Sequence, residues 1–225
     1  MPNTNVFDII GPIMIGPSSS HTAGAVRLGR LARAIAGSTP TAARIRLYGS
    51  FAQTYRGHGT DRALVAGLLG HTPADERIRH ALDEAKNKGI AVTIRAARGE
   101  PAHPNTARFD LTTPDGRRVS VVGASIGGGS VRVTQIDDYD MEISGDYHTL
   151  LVRHIDRPGM IATVTALLAK AKVNVAQMRV SRKRKGGHAL MTIKADQHVA
   201  QRVRDEITGI DGVAAVRSVE PIAYY

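Results

Sequence analysis

The residues best suited to chemistry form a run of hydroxyl side chains with one imidazole near the start of the chain. The run consists of Ser18, Ser19, Ser20, His21 and Thr22. Apolar residues at helical spacing follow it, so its hydroxyls and backbone N–H groups would gather at the positive end of a helix dipole, which binds anions. An imidazole with a pKa of about 6.5 exchanges protons near neutral pH. We therefore predict an anion site with a proton-transfer group; the alternative is a plain helix cap, which needs one hydroxyl.

A second polar segment carries His58 between Gly57 and Gly59, and Thr60 and Asp61 follow at a predicted helix start. Glycines on both sides of the imidazole allow a ligand to approach the backbone closely. The first turn of the helix would again present N–H groups to an anion. We expect His58, Thr60 and Asp61 to contact a ligand, and the alternative is a flexible loop with an ordinary cap.

A third imidazole lies in the turn 101–105, where two prolines restrict the backbone around His103 and Asn105 supplies an amide. Three histidine-bearing polar loops in one region predict a shared pocket. Their spacing does not define a metal site, so no metal ligand is predicted. The glycine run in SIGGGS, residues 125–130, has neither the lysine nor the following helix of a phosphate-binding loop, and it predicts a sharp turn.

Strands and helices must position these loops, and the first 147 residues predict an irregular α/β arrangement. Strands are predicted at 6–10, 44–48, 90–96, 107–111, 119–122 and 131–136, and helices at 22–36, 60–70 and 72–89. In the first helix, Arg27, Arg30 and Arg33 are expected to point away from the apolar face. Residues 49–59 are predicted to form a loop, and the acidic stretch 137–146 a linker.

Residues 148–225 predict a self-contained βαββαβ unit of the split ferredoxin-like type. Strands are expected at 148–154, 174–180, 189–193 and 213–219, with one helix opened by residues 156–159 and another at 197–208. The buried face of the first helix is predicted to hold Ile161, Val164, Thr165, Leu168 and Ala171. The predicted fold class is therefore α/β (α+β), with one domain at 1–147 and a second at 148–225.

The composition excludes several classes of protein. A chain of 225 residues with 42% hydrophobic and 22% charged residues is ordinary for a globular protein. It has no apolar run long enough for a bilayer and no signal-peptide pattern, so we expect a cytoplasmic protein without a membrane partner. Cysteine is absent, which excludes disulfides and thiolate ligands for zinc or iron–sulfur clusters. Any such cluster would be bound by another polypeptide.

The formal charge of +10 concentrates in the C-terminal part, where residues 182–185 form one basic run before Gly186 and Gly187. Between two alternating apolar segments, such a run predicts a solvated hairpin tip rather than a phosphate-binding patch. Tryptophan is absent and aromatic residues are few, which leaves few platforms on which nucleobases stack. We therefore predict no nucleic-acid partner.

Four segments together resemble one protein family. FDIIGPIMIGPSSSHTAG, YGSFAQTYRGHGTD, AHPNT and SIGGGS, followed by the βαββαβ unit, are similar to the beta subunit of bacterial iron–sulfur-dependent L-serine dehydratase, or L-serine ammonia-lyase. The resemblance extends over essentially the whole chain. Its N-terminal part is similar to the allosteric-substrate-binding type domain of some phosphoglycerate dehydrogenases. Its C-terminal part resembles an ACT domain, a module that commonly binds amino acids.

The resemblance implies a lyase, EC 4.3.1.17, that deaminates L-serine to pyruvate and ammonia and feeds gluconeogenesis. It implies a [4Fe-4S] cluster ligated by cysteines of a partner alpha subunit and not by this chain, which would be inactive without that partner. By this analogy His21 is the catalytic residue. The substrate-binding residues would be Ser18, Ser19, Ser20, Thr22, His58, Thr60, Asp61, His103 and Asn105.

The resemblance to ACT modules adds an effector site. Gly159 and Asn174 match positions at which related modules contact an amino acid, although a tight helix entry and a turn would also explain them. A homodimer or a heterotetramer with the alpha subunit is expected. The rival interpretation of the whole chain is a non-catalytic, amino-acid-sensing regulatory module.

Overall fold

The computed structural model describes residues 13–222, and within them the chain forms two compact units. The first comprises residues 13–137 together with Ile222, and the second comprises residues 138–221. The strand predicted at 6–10 lies outside the described residues. The predicted mixture of helices and strands is confirmed, and the domain boundary near residue 147 stays a prediction.

The first unit begins with a π-helical turn, Ser19–Ala23, that runs directly into helix α1 (Gly24–Ala36). The other helices are α2 (Gly49–Thr54), α3 (Thr60–Leu69), a 3₁₀ turn (Glu76–His80) and α4 (Ala81–Asn87). The strands are β1 (Ala42–Leu47), β2 (Ala91–Ala96), β3 (Thr106–Thr112), β4 (Arg118–Gly127) and β5 (Ser130–Ile136).

The strands of this unit lie side by side in the order β2-β1-β3-β4-β5. Strands β1 and β2 are parallel, with Ala42 opposite Ala91, and the other pairs are antiparallel. Strand β1 alternates between exposed or half-buried residues and the buried Ala43, Ile45 and Leu47, as expected for a strand with one face in the core. Helix α1 packs its buried face against β4 and β5.

Helices α1 and α3 cross at a pair of glycines. A Cβ atom on Gly67 would lie 2.8 Å from the Cα of Gly29 and 2.7 Å from the backbone N of Arg30, closer than side-chain atoms are found in real structures. The two backbones therefore approach more closely than any larger residue would allow. His21 and His58 precede these glycines by similar lengths of chain, so the crossing brings the starts of both helices together.

The structure corrects three predictions made for the first 147 residues. The predicted loop at 49–59 contains helix α2. The predicted helix at 72–89 consists of the 3₁₀ turn and α4, and it begins at Asp75, whose carboxylate accepts a hydrogen bond from the backbone N of Arg77. Such an N-cap fixes a helix start more strongly than the preceding proline does. The predicted linker at 137–146 contains strand β6 (Tyr139–Ile143), which buries Met141 and Ile143.

Arg27 does not point away from the core as predicted, because it is fully buried. Its guanidinium donates hydrogen bonds to the carbonyl of Gly129, at 2.8 Å, and to the carbonyl of Ile222, at 3.3 Å. Backbone carbonyls can compensate for the lost hydration of a planar, five-donor group. Helical spacing does not reveal such partners, which explains why the prediction was wrong.

The second unit confirms the predicted βαββαβ order. After β6 come β7 (His148–Ile155), α5 (Met160–Lys170), β8 (Val175–Arg182), β9 (His188–Ala195), α6 (Gln201–Thr208) and β10 (Val213–Val219). The sheet has the order β10-β7-β9-β8. Its core includes Val152, Val164, Leu168 and Met191. Ile161 and Ala171, both predicted to be buried, are exposed, because the buried stripe of α5 runs through Met160, Val164 and Leu168.

The basic run forms the tip of the β8–β9 hairpin, as predicted. Arg182 forms an ion pair with Asp156 at 2.6 Å, and Lys183 with Asp138 at 3.0 Å. Part of the local positive charge is therefore balanced within the unit. Across residues 13–222, no helix has both the length and the apolar character that a membrane span requires.

Candidate active site

His21 lies at the centre of a hydrogen-bonded cluster in the first unit. Its backbone N–H donates to the hydroxyl of Ser18 at 3.2 Å, which caps the π-helical turn. Its ring Nδ1 lies 3.0 Å from the Ser20 hydroxyl, and its Nε2 lies 3.2 Å from the Ser50 hydroxyl at the start of α2. Both ring nitrogens therefore have hydroxyl partners, and hydroxyls can donate or accept.

Two further rings fix the orientation of this imidazole. Phe51 meets it edge to face with 5.2 Å between ring centroids, and His58 does so at 4.9 Å. The His21 side chain is 9% exposed. Burial lowers the pKa of His21 below its ordinary value, and the neighbouring His58 lowers it further. Near neutral pH the ring is therefore mostly uncharged and able to accept a proton.

The turn that carries His103 joins the cluster through its backbone. The carbonyl of Pro104 accepts from the backbone N of Phe51 at 3.4 Å, and the carbonyl of Asn105 accepts from that of Ser125 at 3.0 Å. Ser125 in turn lies against helix α1, because a Cβ atom on Gly24 would come 2.9 Å from the Ser125 Cβ. The four motifs identified in the sequence therefore meet in one region.

Several polar side chains around His21 are buried with no hydrogen-bond partner among residues 13–222. They are the hydroxyls of Thr22, Thr60 and Ser125 and the side-chain carbonyl of Asn105. A buried polar atom without a partner costs about 1–3 kcal/mol. Such a concentration next to an imidazole indicates a site that is completed by water or by a polar ligand.

A cavity of about 240 Å³ opens beside Thr22 and His58. Three arginines, Arg56, Arg62 and Arg79, also line it. Guanidinium groups bind carboxylates through paired hydrogen bonds. Because His58 lines this cavity and also contacts the ring of His21, the arginines of the cavity and the imidazole of His21 belong to one continuous region.

Not every predicted site residue points toward His21. Asp61 accepts a hydrogen bond from the backbone N of its neighbour Arg62. His103 Nδ1 accepts from the backbone N of Asn105 at 3.1 Å, so this imidazole closes its own turn. The carbonyl of Ser19 accepts from the backbone N of Gly24 within the helical segment. Their predicted contacts with substrate stay predictions.

Sequence reasoning missed Ser50, Ser125 and the arginines of the cavity. Ser50 belongs to the segment 49–59, which was predicted to be a loop, and nothing in the spacing of the two residues connects it with His21. Ser125 lies two residues before the glycine turn, where Gly127, Gly128 and Gly129 all have positive φ. The one available signal was the pair of arginines, Arg56 and Arg62, on either side of His58.

The two predicted effector residues, Gly159 and Asn174, both belong to the second unit. Gly159 caps α5 in the left-handed conformation, is exposed, and has open space where a side chain would be. Asn174, also exposed, donates from its side-chain N to Asp196 at 2.5 Å. Gly159 therefore leaves room for a ligand, whereas the amide of Asn174 already has a partner.

The fold and the site define a two-part chain with a hydroxyl- and imidazole-rich N-terminal unit and a C-terminal ACT domain. Residues 5–95 match the family described as "Serine dehydratase beta chain", and residues 148–212 match the ACT domain family. The chain is 44% identical to "Probable L-serine dehydratase, beta chain" of Bacillus subtilis (strain 168), over 97% of this chain and 99% of that protein.

Two other relatives match most of this chain. The chain is 34% identical to "L-serine dehydratase, beta chain" of Peptoniphilus asaccharolyticus, over 98% of this chain and 100% of that protein. It is 28% identical to "D-3-phosphoglycerate dehydrogenase" of Synechocystis sp. (strain ATCC 27184 / PCC 6803 / Kazusa), over 86% of this chain and 35% of that protein. The chain therefore belongs to the L-serine dehydratase beta chain family, and the predicted family is confirmed.

Proposed function

We propose that this chain is the beta subunit of a two-subunit, cytoplasmic L-serine ammonia-lyase, EC 4.3.1.17, and that it is inactive without its alpha subunit. Sequence similarity to two L-serine dehydratase beta chains, 44% and 34% identical over nearly the full length, supports the proposal. The reaction would convert L-serine to pyruvate and ammonia, which places the enzyme upstream of gluconeogenesis. Because this chain has no cysteine, it cannot supply the thiolates of an iron–sulfur cluster.

In this proposal the alpha subunit's cysteines would bind a [4Fe-4S] cluster, which would supply a Lewis acid for the departing hydroxyl. The residues of the present chain do not fit that group, so their role lies elsewhere. The half-buried Ser18, Ser19 and Ser20 and the exposed Pro17 border solvent. This segment is therefore accessible to a second polypeptide.

The observation that carries the proposal is the buried imidazole of His21, whose two ring nitrogens both lie within hydrogen-bond distance of hydroxyl groups. In the proposed step this ring accepts the proton from the α-carbon of L-serine. The electron pair of the broken C–H bond forms the Cα–Cβ double bond, and the β-hydroxyl leaves as hydroxide. The hydroxide takes up the proton held by the imidazolium, so the products are 2-aminoacrylate, water and the uncharged ring. Tautomerisation to the imine and hydrolysis by one water then give pyruvate and ammonia.

Binding of the substrate carboxylate is assigned to the polar groups around His21. The unpartnered hydroxyls of Thr22 and Thr60 and the arginines of the adjacent cavity are the appropriate partners for a carboxylate. Fixing the carboxylate would orient the α-proton toward the ring, which lowers the entropic cost of the reaction.

The test is co-expression with an alpha chain under anaerobic conditions, followed by a pyruvate assay on L-serine. His21→Ala should lower turnover by at least about 100-fold, the usual contribution of a proton-transfer group, while the two chains still co-purify. His21→Gln can keep a hydrogen bond to Ser50 but cannot exchange a proton, so it should be equally impaired. His80→Ala, an exposed histidine of the same unit, is the control and should be fully active.

Near-normal turnover of His21→Ala would overturn the assignment of His21, and rescue by His21→Gln would assign it to positioning. We also infer that Gly159 and Asn174 contribute to an amino-acid effector site, supported by the ACT match. If the complex with the alpha chain produces no pyruvate but the chain binds L-serine in calorimetry, the non-catalytic sensing module becomes the correct interpretation.

A further inference from the structure

Three potential metal ligands meet at one end of the second unit. In the amino-acid sequence they are distant from the motifs discussed above. His148 Nδ1 lies 2.7 Å from one carboxylate oxygen of Glu220, and His198 Nδ1 lies 3.0 Å from the other. The two imidazole rings are 5.9 Å apart in an edge-to-face arrangement. One ligand atom from each of the three residues lies within 4.8 Å of the other two.

The topology of the sheet brings these residues together. His148 begins β7 and is paired with Ala195, the last residue of β9, so His198 follows at the same edge. Thr149 is paired with Val219, the last residue of β10, so Glu220 emerges beside His148. Three strand ends therefore converge.

The residues that flank the cluster are anchored in the core. Thr149, Val199 and Val219, each adjacent to one of the three ligands, are at most 2% exposed. The cluster side chains themselves are partly accessible, with 26% exposure for His148 and 50% for both His198 and Glu220. A metal ion from solution can reach them, and the fixed backbone keeps the three groups on the same side.

The carboxylate of Glu220 is oriented by a hydrogen bond from a neighbouring hydroxyl. The Ser218 hydroxyl donates to Oε1 at 2.8 Å. Outer hydrogen bonds of this kind orient a ligating group and increase metal affinity.

We propose that His148, His198 and Glu220 bind a divalent transition-metal ion of the zinc class, with a water molecule as the fourth ligand. Two imidazoles and one carboxylate form a ligand set that zinc uses in proteins. Ligand atoms about 2.0–2.1 Å from a tetrahedral ion are roughly 3.3 Å apart. In the present structure the two Nδ1 atoms lie at hydrogen-bond distance, 2.7 and 3.0 Å, from the Glu220 oxygens. A bound ion would replace these hydrogen bonds, and the ligand atoms, now within 4.8 Å of one another, would move to about 3.3 Å.

The ligand types also set the selectivity of the site. Imidazole nitrogens favour zinc, copper and nickel over magnesium and calcium, which prefer oxygen ligands. With three protein ligands and an accessible position, the site would exchange its ion. Because it links the start of β7 to the residue after β10, a bound ion would stabilise the folded second unit in proportion to its concentration.

The experiment uses the full-length, tag-free chain, treated with a chelator and then dialysed free of it. Calorimetric titration with Zn²⁺ should give one saturable site per chain, and Co²⁺ should produce the visible absorption bands of a tetrahedral complex. Zn²⁺ should also raise the thermal unfolding temperature, whereas Mg²⁺ should leave it unchanged. None of these three measurements depends on the lyase reaction or on the alpha subunit.

His198→Ala and Glu220→Gln should each weaken Zn²⁺ binding by at least about tenfold and remove the Co²⁺ bands, with unchanged circular dichroism. His188→Ala replaces an exposed histidine of the same unit outside the cluster and should bind Zn²⁺ like the unaltered chain. Absence of saturable binding to the unaltered chain overturns the proposal, and so does unchanged binding in both variants.

Discussion

The imidazole Nε2 of His21 lies 3.2 Å from the hydroxyl of Ser50, which is 29 positions further along the chain. Ser50 belongs to a short helix that was predicted to be a loop. Together with Ser20 on the opposite ring nitrogen, this hydroxyl prevents the ring from turning. The proposed proton acceptor is therefore oriented by two separate segments.

Ser50→Ala removes one of these two restraints without creating a charge. We expect kcat on L-serine to fall by roughly tenfold, the equivalent of one hydrogen bond of about 1.4 kcal/mol, which is a smaller loss than that of His21→Ala. The measurement is the pyruvate assay on the complex with the alpha chain. Ser38→Ala, beyond the far end of α1, should have no effect, and a Ser50→Ala enzyme with unchanged kcat would contradict the role of this contact.

The pH dependence of the reaction should report on His21. Its pKa lies below the ordinary value of 6.5 because of burial and of the neighbouring His58. If the uncharged ring is the base, kcat/KM should decline as the pH falls through that lowered pKa.

Replacing the neighbour by His58→Asn removes the electrostatic contribution that lowers the pKa of His21. The acid limb of the kcat/KM profile should therefore move to higher pH, toward 6.5. The midpoint of the profile can be compared with an NMR titration of His21 in the separate beta chain. An acid limb at the same pH in both proteins would show that His58 does not influence the titrating group.

Gly67→Ala should destabilise the first unit by about 1–3 kcal/mol, the usual cost of overpacking a closed interface. The added methyl group would lie 2.7 Å from the backbone N of Arg30, so helix α3 would have to move away from α1. Urea-induced unfolding measures the change. In the control, Gly57→Ala, the added methyl group would lie 3.7 Å from the carbonyl oxygen of Thr54, an ordinary van der Waals distance. Equal midpoints for the two variants would disprove the close crossing.

The sequence predicted the second unit well because its elements are regular and local. The alternation around Met191 and the glycine pair after the basic run identify strands and a hairpin without knowledge of distant contacts. The first unit was harder, because its short helix α2 and its 3₁₀ turn are stabilised by tertiary contacts and by a single cap at Asp75. Arg27 was placed wrongly for the related reason that its carbonyl partners are distant in sequence.

The amino-acid sequence by itself determined which chemical groups are present: a hydroxyl run with one imidazole, two further histidine loops, and no thiol. It also determined the family, because those motifs are long enough to be specific. The tertiary structure decided which groups meet. The glycine crossing of α1 and α3 brings His58 to His21, and strand register brings Glu220 to His148. Such pairings depend on how elements pack, and local spacing carries no information about that.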